Sequence, residues 1–269
     1  RKGQFTPKQL WRLILITAFI LWFSYNAFSY DLFNYIFDAR IFTFYRQNPY
    51  QHKALDFSGD PMLRFMHWTH RYYPYGPAWL WITIPLSFLG VQKLIPTMIL
   101  FKGLAAASYL VSSWLIYKIL KKTNPRYSLF GLTFFAFNPL IIIESLISAH
   151  NDILMMTLSL AGIWFLLEKK PLPAWLTLFL SIGVKFATSL LLPVFLLITF
   201  YQRQKRKVNW RKVWLASLLA MMVALFLVVK RTEFQPWYFL YLLPFLSLLL
   251  EERWLSWLTI SLSLGLLLR

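Results

Sequence analysis

Two aspartates follow the first membrane-length apolar run, in the segment Asp31-Leu-Phe-Asn-Tyr-Ile-Phe-Asp38. The whole chain contains only ten acidic residues. An ionisable side chain in or beside hydrocarbon costs on the order of 3 kcal/mol, so one found at this depth predicts a functional site. If the segment is helical, Asp31, Tyr35 and Asp38 share one face while phenylalanines line another. This pattern predicts an amphipathic helix at the membrane surface that presents carboxylates.

Asp31 is the candidate general base, because a carboxylate at the boundary of water and lipid can deprotonate a hydroxyl group. In a purely structural alternative, Asp31 is the acid of the first helical turn, where its negative charge would interact favourably with the positive end of the helix dipole. Asp38 is a second catalytic candidate, or it pairs with Arg40 or Arg46.

A second polar group follows in Arg71-Tyr-Tyr-Pro-Tyr-Gly-Pro77. Its prolines and glycine predict a rigid turn at the mouth of the next helix. Rigidity alone does not explain the side chains of His70, Arg71, Tyr73 and Tyr75. Guanidinium and aromatic groups together suit contacts with a phosphate and a sugar.

A third polar group, Glu144 with His150, Asn151 and Asp152, lies beside an apolar run. These side chains form either part of a functional site or a buried network that satisfies itself. A lone His-x-Asp pair without an HExxH motif gives no support for zinc, so we expect neither a metal nor another cofactor.

Lys185 lies in the middle of an apolar run. An ammonium group buried there requires an anion, which is either Glu144 or Asp152 or the phosphate of a substrate. Arg231 follows a later apolar run and is a candidate for closing the same anion site.

Composition predicts an all-α, polytopic membrane protein forming one unit over residues 1–269. Hydrophobic residues make up 58% of the chain and charged residues 14%, and several apolar runs approach the roughly 20 residues that cross a bilayer. Tryptophans near the ends of these runs, including Trp79 and Trp237, are interpreted as interface anchors. The absence of cysteine excludes disulfides and thiolate chemistry.

The net charge of +18 is concentrated in short clusters between apolar runs. Such clusters, most clearly residues 201–212, predict cytoplasmic loops that face anionic lipid rather than a nucleic-acid site. The first run is too long for a signal peptide, so we expect it to be retained although Arg1 and Lys2 precede it.

The basic loops give a topology in which the long external loop of residues 31–75 forms the roof of a site. Break points are expected at Asn138-Pro139 and, within a pair of half-helices, at Gly183, Lys185 and Pro193. Apolar segments are predicted at residues 10–30, 77–90, 95–119, 127–148, 153–167, 172–200, 212–229, 237–250 and 254–268. On this topology the loop 31–75, residues 150–152, Lys185 and the loop 230–236 converge on one cavity.

The order of these motifs resembles the polyprenyl-phosphate-sugar-dependent glycosyltransferases with the GT-C membrane fold, and is most similar to bacterial mannosyltransferase-like members. The resemblance covers residues 25–200, with Ala149 standing where the family pattern usually has glycine. It is carried by Asp31-x-x-Asn-Tyr-x-x-Asp38-x-Arg40, Asn48-Pro-Tyr50, Tyr73-Pro-Tyr-Gly-Pro77, Asn138-Pro-Leu-x-x-x-Glu144, His150-Asn-Asp152, Lys185 and Pro193.

The resemblance implies transfer of a sugar, mannose or another hexose, from a polyprenyl-phosphate donor to a lipid-linked or cell-envelope acceptor, with inversion. Asp31 would be the base and Asp38 its reserve, while His70, Arg71 and Lys185 would stabilise the departing phosphate. It also implies an integral protein of the bacterial inner membrane with its site on the external face. A lipid-linked sugar flippase or transporter is the alternative, since it too needs intramembrane charge and broken helices.

Overall fold

The computed structural model describes residues 6–251 and 253–268, so the predicted role of Arg1 and Lys2 lies outside the described residues. Within the described residues the chain forms helices and loops and no strand. The α-helices are α1 (Pro7–Trp22), α2 (Asp31–Thr43), α3 (Pro77–Leu89), α4 (Leu94–Thr123), α5 (Ser128–Ala136), α6 (Pro139–Ile141), α7 (Asp152–Leu167), α8 (Pro171–Val184), α9 (Leu192–Arg203), α10 (Trp210–Arg231), α11 (Leu243–Leu248) and α12 (Arg253–Leu266). Short 3-10 helices cover Ala54–Phe57, Pro61–Phe65, Pro125–Tyr127, Phe186–Leu191 and Pro236–Tyr241, and Ile142–Ile147 is a π-helical turn.

Several helices are long and apolar enough to cross a membrane. Among the described residues three qualify by length and composition, namely α4, the helical segment Phe186–Arg203 and α10. The pair Pro125–Ala136 and Pro139–Ile147, bent by 50°, makes a fourth if it counts as one broken span. The all-helical, polytopic membrane architecture predicted from composition is therefore confirmed.

The first helix is shorter than the predicted span of residues 10–30. It starts with a capping box between Thr6 and Gln9 and ends at Trp22, whose indole N–H donates to the carbonyl of Ile99 on α4 at 2.7 Å. Residues 23–30 are not helical. The Ser29 hydroxyl in this loop accepts from the N–H of Asp31 at 3.1 Å, so the loop sets the position at which α2 begins.

Helix α2 forms where it was predicted, but protein surrounds it on nearly every side. Ten of its 13 residues are buried, so it does not lie on the surface with one exposed polar face. Helices α3 and α4 pack against one side of α2 in the main core, and apolar side chains of the following loop cover Phe37 and Ile41 in a second small core. Arg40 pairs with Asp60 at 2.7 Å rather than with Asp38.

A helix break is present in both of the predicted regions. The Asn138 side-chain oxygen accepts from the N–H groups of Leu140 and Ile141 at 3.0 and 3.3 Å, which caps the helix after the break. In the half-helix pair the break falls at Lys185, whose backbone is extended. Gly183 lies within α8 and Pro193 is the second residue of α9, so the breaks expected at these two residues are absent.

A close approach of two backbones joins α3 to α8 beneath the polar loop. The N–H of Gly76 donates to the carbonyl of Val184 at 3.2 Å. A Cβ atom on Gly76 would lie 2.2 Å from the carbonyl oxygen of Gly183, so only glycine fits without a shift. This contact places Tyr75 beside the helix break that carries Lys185.

Candidate active site

Polar and aromatic side chains from four parts of the chain line a cavity of about 550 Å³. They come from α2, from the loop before α3, from the break after α8 and from the segment that follows α10. The lining residues are Asp31, Asn34, Asp38, Ala54, Met66, Trp68, Arg71, Tyr72, Pro74, Tyr75, Lys185, Val228, Arg231, Thr232, Glu233, Gln235, Trp237 and Tyr238. Of the segments predicted to converge, the loop 31–75, Lys185 and the loop 230–236 line this cavity, whereas residues 150–152 do not.

Asp31 lies at the wall of this cavity with 8% of its surface exposed. One carboxylate oxygen is 3.5 Å from Nδ1 of His150. Burial raises the pKa of Asp31, but the contact with His150 and the charges of His150 and Lys185 outweigh burial and hold that pKa below its ordinary value. Asp31 is therefore ionised at neutral pH and can accept a proton.

Asp38 lies about two helical turns after Asp31 on the same face of α2, lines the same cavity and is half-buried. Burial, and after it the charge of Asp31, raises the pKa of Asp38 to about 8. The two carboxyl groups are therefore in different states at neutral pH. Asp31 is charged, while Asp38 is largely protonated and can donate a hydrogen bond.

His150, Asn151 and Asp152 lie behind the cavity wall rather than on it, and each is buried. The ring of His150 stacks on Trp237, with centroids 4.2 Å apart, and its Nε2 is 3.2 Å from a carboxylate oxygen of Glu144. The Asn151 side-chain oxygen accepts from the Tyr35 hydroxyl at 3.4 Å. These groups support the wall through their contacts with neighbouring side chains.

Lys185 has a protein anion as its partner. Its ammonium group donates to both carboxylate oxygens of Asp152, at 2.7 and 2.8 Å. Of the alternatives left open by the sequence, this geometry favours Asp152 over Glu144 and makes a substrate phosphate at most a second partner. The side chain of Lys185 is still 19% exposed and lines the cavity.

The remaining predicted contacts divide into those on the wall and those away from it. Arg71, Tyr75 and Arg231 line the cavity, and the guanidinium of Arg71 lies 3.8 Å from the ring centroid of Trp68. His70 is exposed and is not among the lining residues. Tyr73 is buried and donates its hydroxyl hydrogen to the carbonyl of Gly76 at 3.2 Å, a structural contact.

Sequence reasoning missed several lining residues. Asn34 could have been found, because it lies three residues after Asp31 and so shares its helical face. Trp237 was interpreted as an interface anchor, yet it lines the cavity and covers His150. Trp79, interpreted in the same way, is 3% exposed within the core. No periodicity or motif marks Trp68 or Tyr238 as lining residues.

Ala149 shows why the resembling family usually has glycine at this position. Its φ of 53° lies in the left-handed region, which side chains with a Cβ atom adopt only at a cost. The turn it makes sets His150 beneath the wall. Within the residues that the structure describes, no group of three or more His, Asp or Glu side chains could hold a metal ion.

Comparison with known proteins shows the family. Residues 1–201 match the family model described as alpha-(1->6)-mannopyranosyltransferase, N-terminal domain. A curated relative, alpha-(1->6)-mannopyranosyltransferase A of Corynebacterium glutamicum, is 26% identical over 150 residues, which cover 54% of this chain and 30% of the relative.

The chain thus aligns with about a third of that relative's length. No solved structure matches the chain. Because the matched region spans well over half of the chain and contains Asp31, Glu144, His150 and Lys185, the chain belongs to the alpha-(1->6)-mannopyranosyltransferase family.

Proposed function

We propose that this chain is the catalytic membrane unit of a glycosyltransferase that moves mannose or another hexose from a polyprenyl-phosphate donor to a lipid-linked or cell-envelope acceptor. Family membership supports the glycosyl transfer, and the name of the curated relative supports an α-1,6-linked mannoside. The donor and acceptor classes rest on the membrane architecture and on the charges of the cavity.

The observation that carries the proposal is the ionised carboxylate of Asp31 at the cavity wall. A general base must be charged and within reach of the hydroxyl group that it deprotonates. In the proposed step, the acceptor hydroxyl loses its proton to Asp31 and attacks the anomeric carbon. The bond from that carbon to the phosphate oxygen breaks, with inversion. The neutral carboxyl of Asp38 donates a hydrogen bond to a sugar hydroxyl.

The cations of the cavity wall stabilise the departing polyprenyl phosphate. Arg71 and Arg231 line the cavity, and the stacking of Arg71 on Trp68 leaves the edge of its guanidinium available to phosphate oxygens. Lys185 contributes less, since Asp152 already balances its charge. His70 has no direct role in this step because it is not on the wall.

We further propose that the protein resides in the bacterial inner membrane as a single transmembrane domain, with the loop 31–75 outside and the basic loop 201–212 in the cytoplasm. The partners are the bilayer, the donor lipid and the acceptor. This orientation places the cavity where lipid-linked donors are presented and follows from the retention of short basic loops on the cytoplasmic side.

The test is a transfer assay in lipid nanodiscs, with polyprenyl-phosphate mannose as donor and an alkyl α-mannoside as acceptor. Asp31→Asn keeps the shape and removes the proton acceptor, so we expect a loss of roughly 10² to 10⁴ in rate. The matched control is Asp56→Asn, since Asp56 is exposed and does not line the cavity. Wild-type turnover by a well-folded Asp31→Asn protein would refute Asp31 as the general base and make Asp38 the candidate instead.

A further inference from the structure

Three ionisable side chains form a line that runs from the buried interior to the cavity. At the end away from the cavity, a carboxylate oxygen of the buried Glu144 lies 3.2 Å from Nε2 of His150. The other ring nitrogen of His150 is 3.5 Å from the carboxylate of Asp31 at the cavity wall. The imidazole is fully buried, so it stands between two carboxylates with no access to bulk water.

The backbone around Glu144 fixes its position relative to His150. Glu144 is the third residue of the π-helical turn Ile142–Ile147, a form of helix that is rare and frequent at functional sites. The carbonyl of Glu144 accepts from the N–H of His150 at 3.0 Å. The two residues are therefore held together by their backbones as well as by their side chains.

Aromatic and apolar side chains pack around the ring of His150 from other parts of the described chain. Trp237 covers one face of the ring, and α3 and α4 contribute apolar side chains, including Trp79 and Phe101, to the small space on another side. Lys185, which also acts on Asp31 through its charge, forms its ion pair with Asp152. Lys102, also on α4, donates to Ser24 and to a backbone carbonyl.

We propose that Glu144 is a positioning residue that acts through a doubly protonated His150 to hold the Asp31 carboxylate at the cavity wall. The proposal rests on the proposed function for its meaning in catalysis, but the bridge itself is a separate physical claim. Neither ring nitrogen forms a hydrogen bond in this structure, so the two contacts are contacts between charges. An imidazolium attracts both carboxylates, whereas a neutral imidazole has no charge to pair with either. Both carboxylates are bridged only while His150 is charged.

The charge of His150 follows from the same geometry. Burial lowers the pKa of His150, but the contacts with Asp31 and Glu144 outweigh it and raise that pKa from 6.5 to about 9. Since the pKa is higher in the folded protein, the bridge contributes its full stability below about pH 6.5 and loses it as the pH rises through about 9.

The direct test is the titration of the histidine rings by NMR of protein labelled with ¹⁵N-histidine in nanodiscs. The chain has four histidines, and a His150→Gln sample identifies the signal of His150 by its loss. We expect wild-type His150 to remain doubly protonated past pH 8. Glu144→Gln should lower its titration midpoint by roughly one pH unit or more. Glu168→Gln, at the opposite end of α7 and paired with Lys122, should leave the midpoint unchanged.

A wild-type midpoint near 6.5, or a midpoint that Glu144→Gln does not move, would overturn the proposal. If Glu144→Gln does not fold, Asp31→Asn tests the same bridge from the other side and should also lower the midpoint. In the transfer assay, the alkaline limb of the kcat/KM profile should move to lower pH in Glu144→Gln. If Asp31→Asn retains transfer activity while His150 of the wild-type protein titrates as predicted, the proposed function is refuted and the bridge is not.

Discussion

Replacing Lys185 with methionine tests whether its ammonium serves the fold or the substrate. The ammonium group donates to both oxygens of Asp152, and the Asp152 side chain is completely buried. Removing one partner of a buried ion pair leaves the other charge uncompensated, at a cost of about 3 to 5 kcal/mol. Lys185 is 19% exposed, so we expect the lower end of this range.

The expected consequence is a lower melting temperature without donor. A loss of about 3 kcal/mol corresponds to a shift of roughly 6 to 12 °C, given 2 to 4 °C per kcal/mol for proteins of about this size. The double variant Asp152→Asn/Lys185→Met removes both charges and should recover most of the loss, because no buried charge is left alone. Lys212→Met, at an exposed position of α10, is the control and should melt as the wild type does.

The assay is thermal unfolding in one detergent at one scan rate, with and without polyprenyl-phosphate mannose. A melt of donor-free Lys185→Met that matches the wild type would refute the structural role of the ion pair. A donor-induced rise in melting temperature that disappears in the double variant would show that Lys185 also binds phosphate. A rise that persists would assign phosphate binding to Arg71 and Arg231.

Two further predictions test the framework of the site. Gly76→Ala should destabilise the protein by about 1 to 3 kcal/mol, because its Cβ atom would lie 2.2 Å from a carbonyl of α8, whereas nothing lies within 4 Å of a Cβ atom on Gly59. Equal melts for Gly76→Ala and Gly59→Ala would contradict this. The chain has no cysteine, so Ser58→Cys and Gln204→Cys can be labelled singly in intact cells with an impermeant reagent. Labelling at position 204 and not at position 58 would show the opposite orientation to the one that the basic loops predict.

The helices could be predicted because their signals are local. The Asn138-Pro139 pair located the first break, and of the three break points expected in the half-helix pair only Lys185 is one. Helix α2 shows the limit of this reasoning. Its sequence predicts one polar and one apolar face, but ten of its residues are buried, because α3 and α4 pack on one side and the loop after α2 covers Phe37 and Ile41 on another. Packing by a neighbouring irregular segment leaves no periodic trace in the helix itself.

Charged residues were easier to assign to the site than to their partners. A carboxylate or ammonium in an apolar run is conspicuous, and Asp31, Asp38 and Lys185 all line the cavity. Which anion meets Lys185 depends on distances between α8 and α7, and the sequence left three choices. The structure selects Asp152 because the break after α8 turns the backbone of Lys185 into an extended conformation beside the first residue of α7.

The contribution of the segment after α10 explains why a family match over residues 1–201 does not describe the whole site. Helix α10 ends at Arg231, and an extended backbone at Thr232 and Gln235 carries the chain over the cavity before Pro236 starts a short 3-10 helix. This path places Trp237 on the ring of His150 and lines the cavity with Arg231. The matched region supplies the carboxylates and the histidine bridge, while the later segment shields that bridge and adds a cation. Under the proposed function, substrate contacts on this side of the cavity would depend on residues outside the matched region.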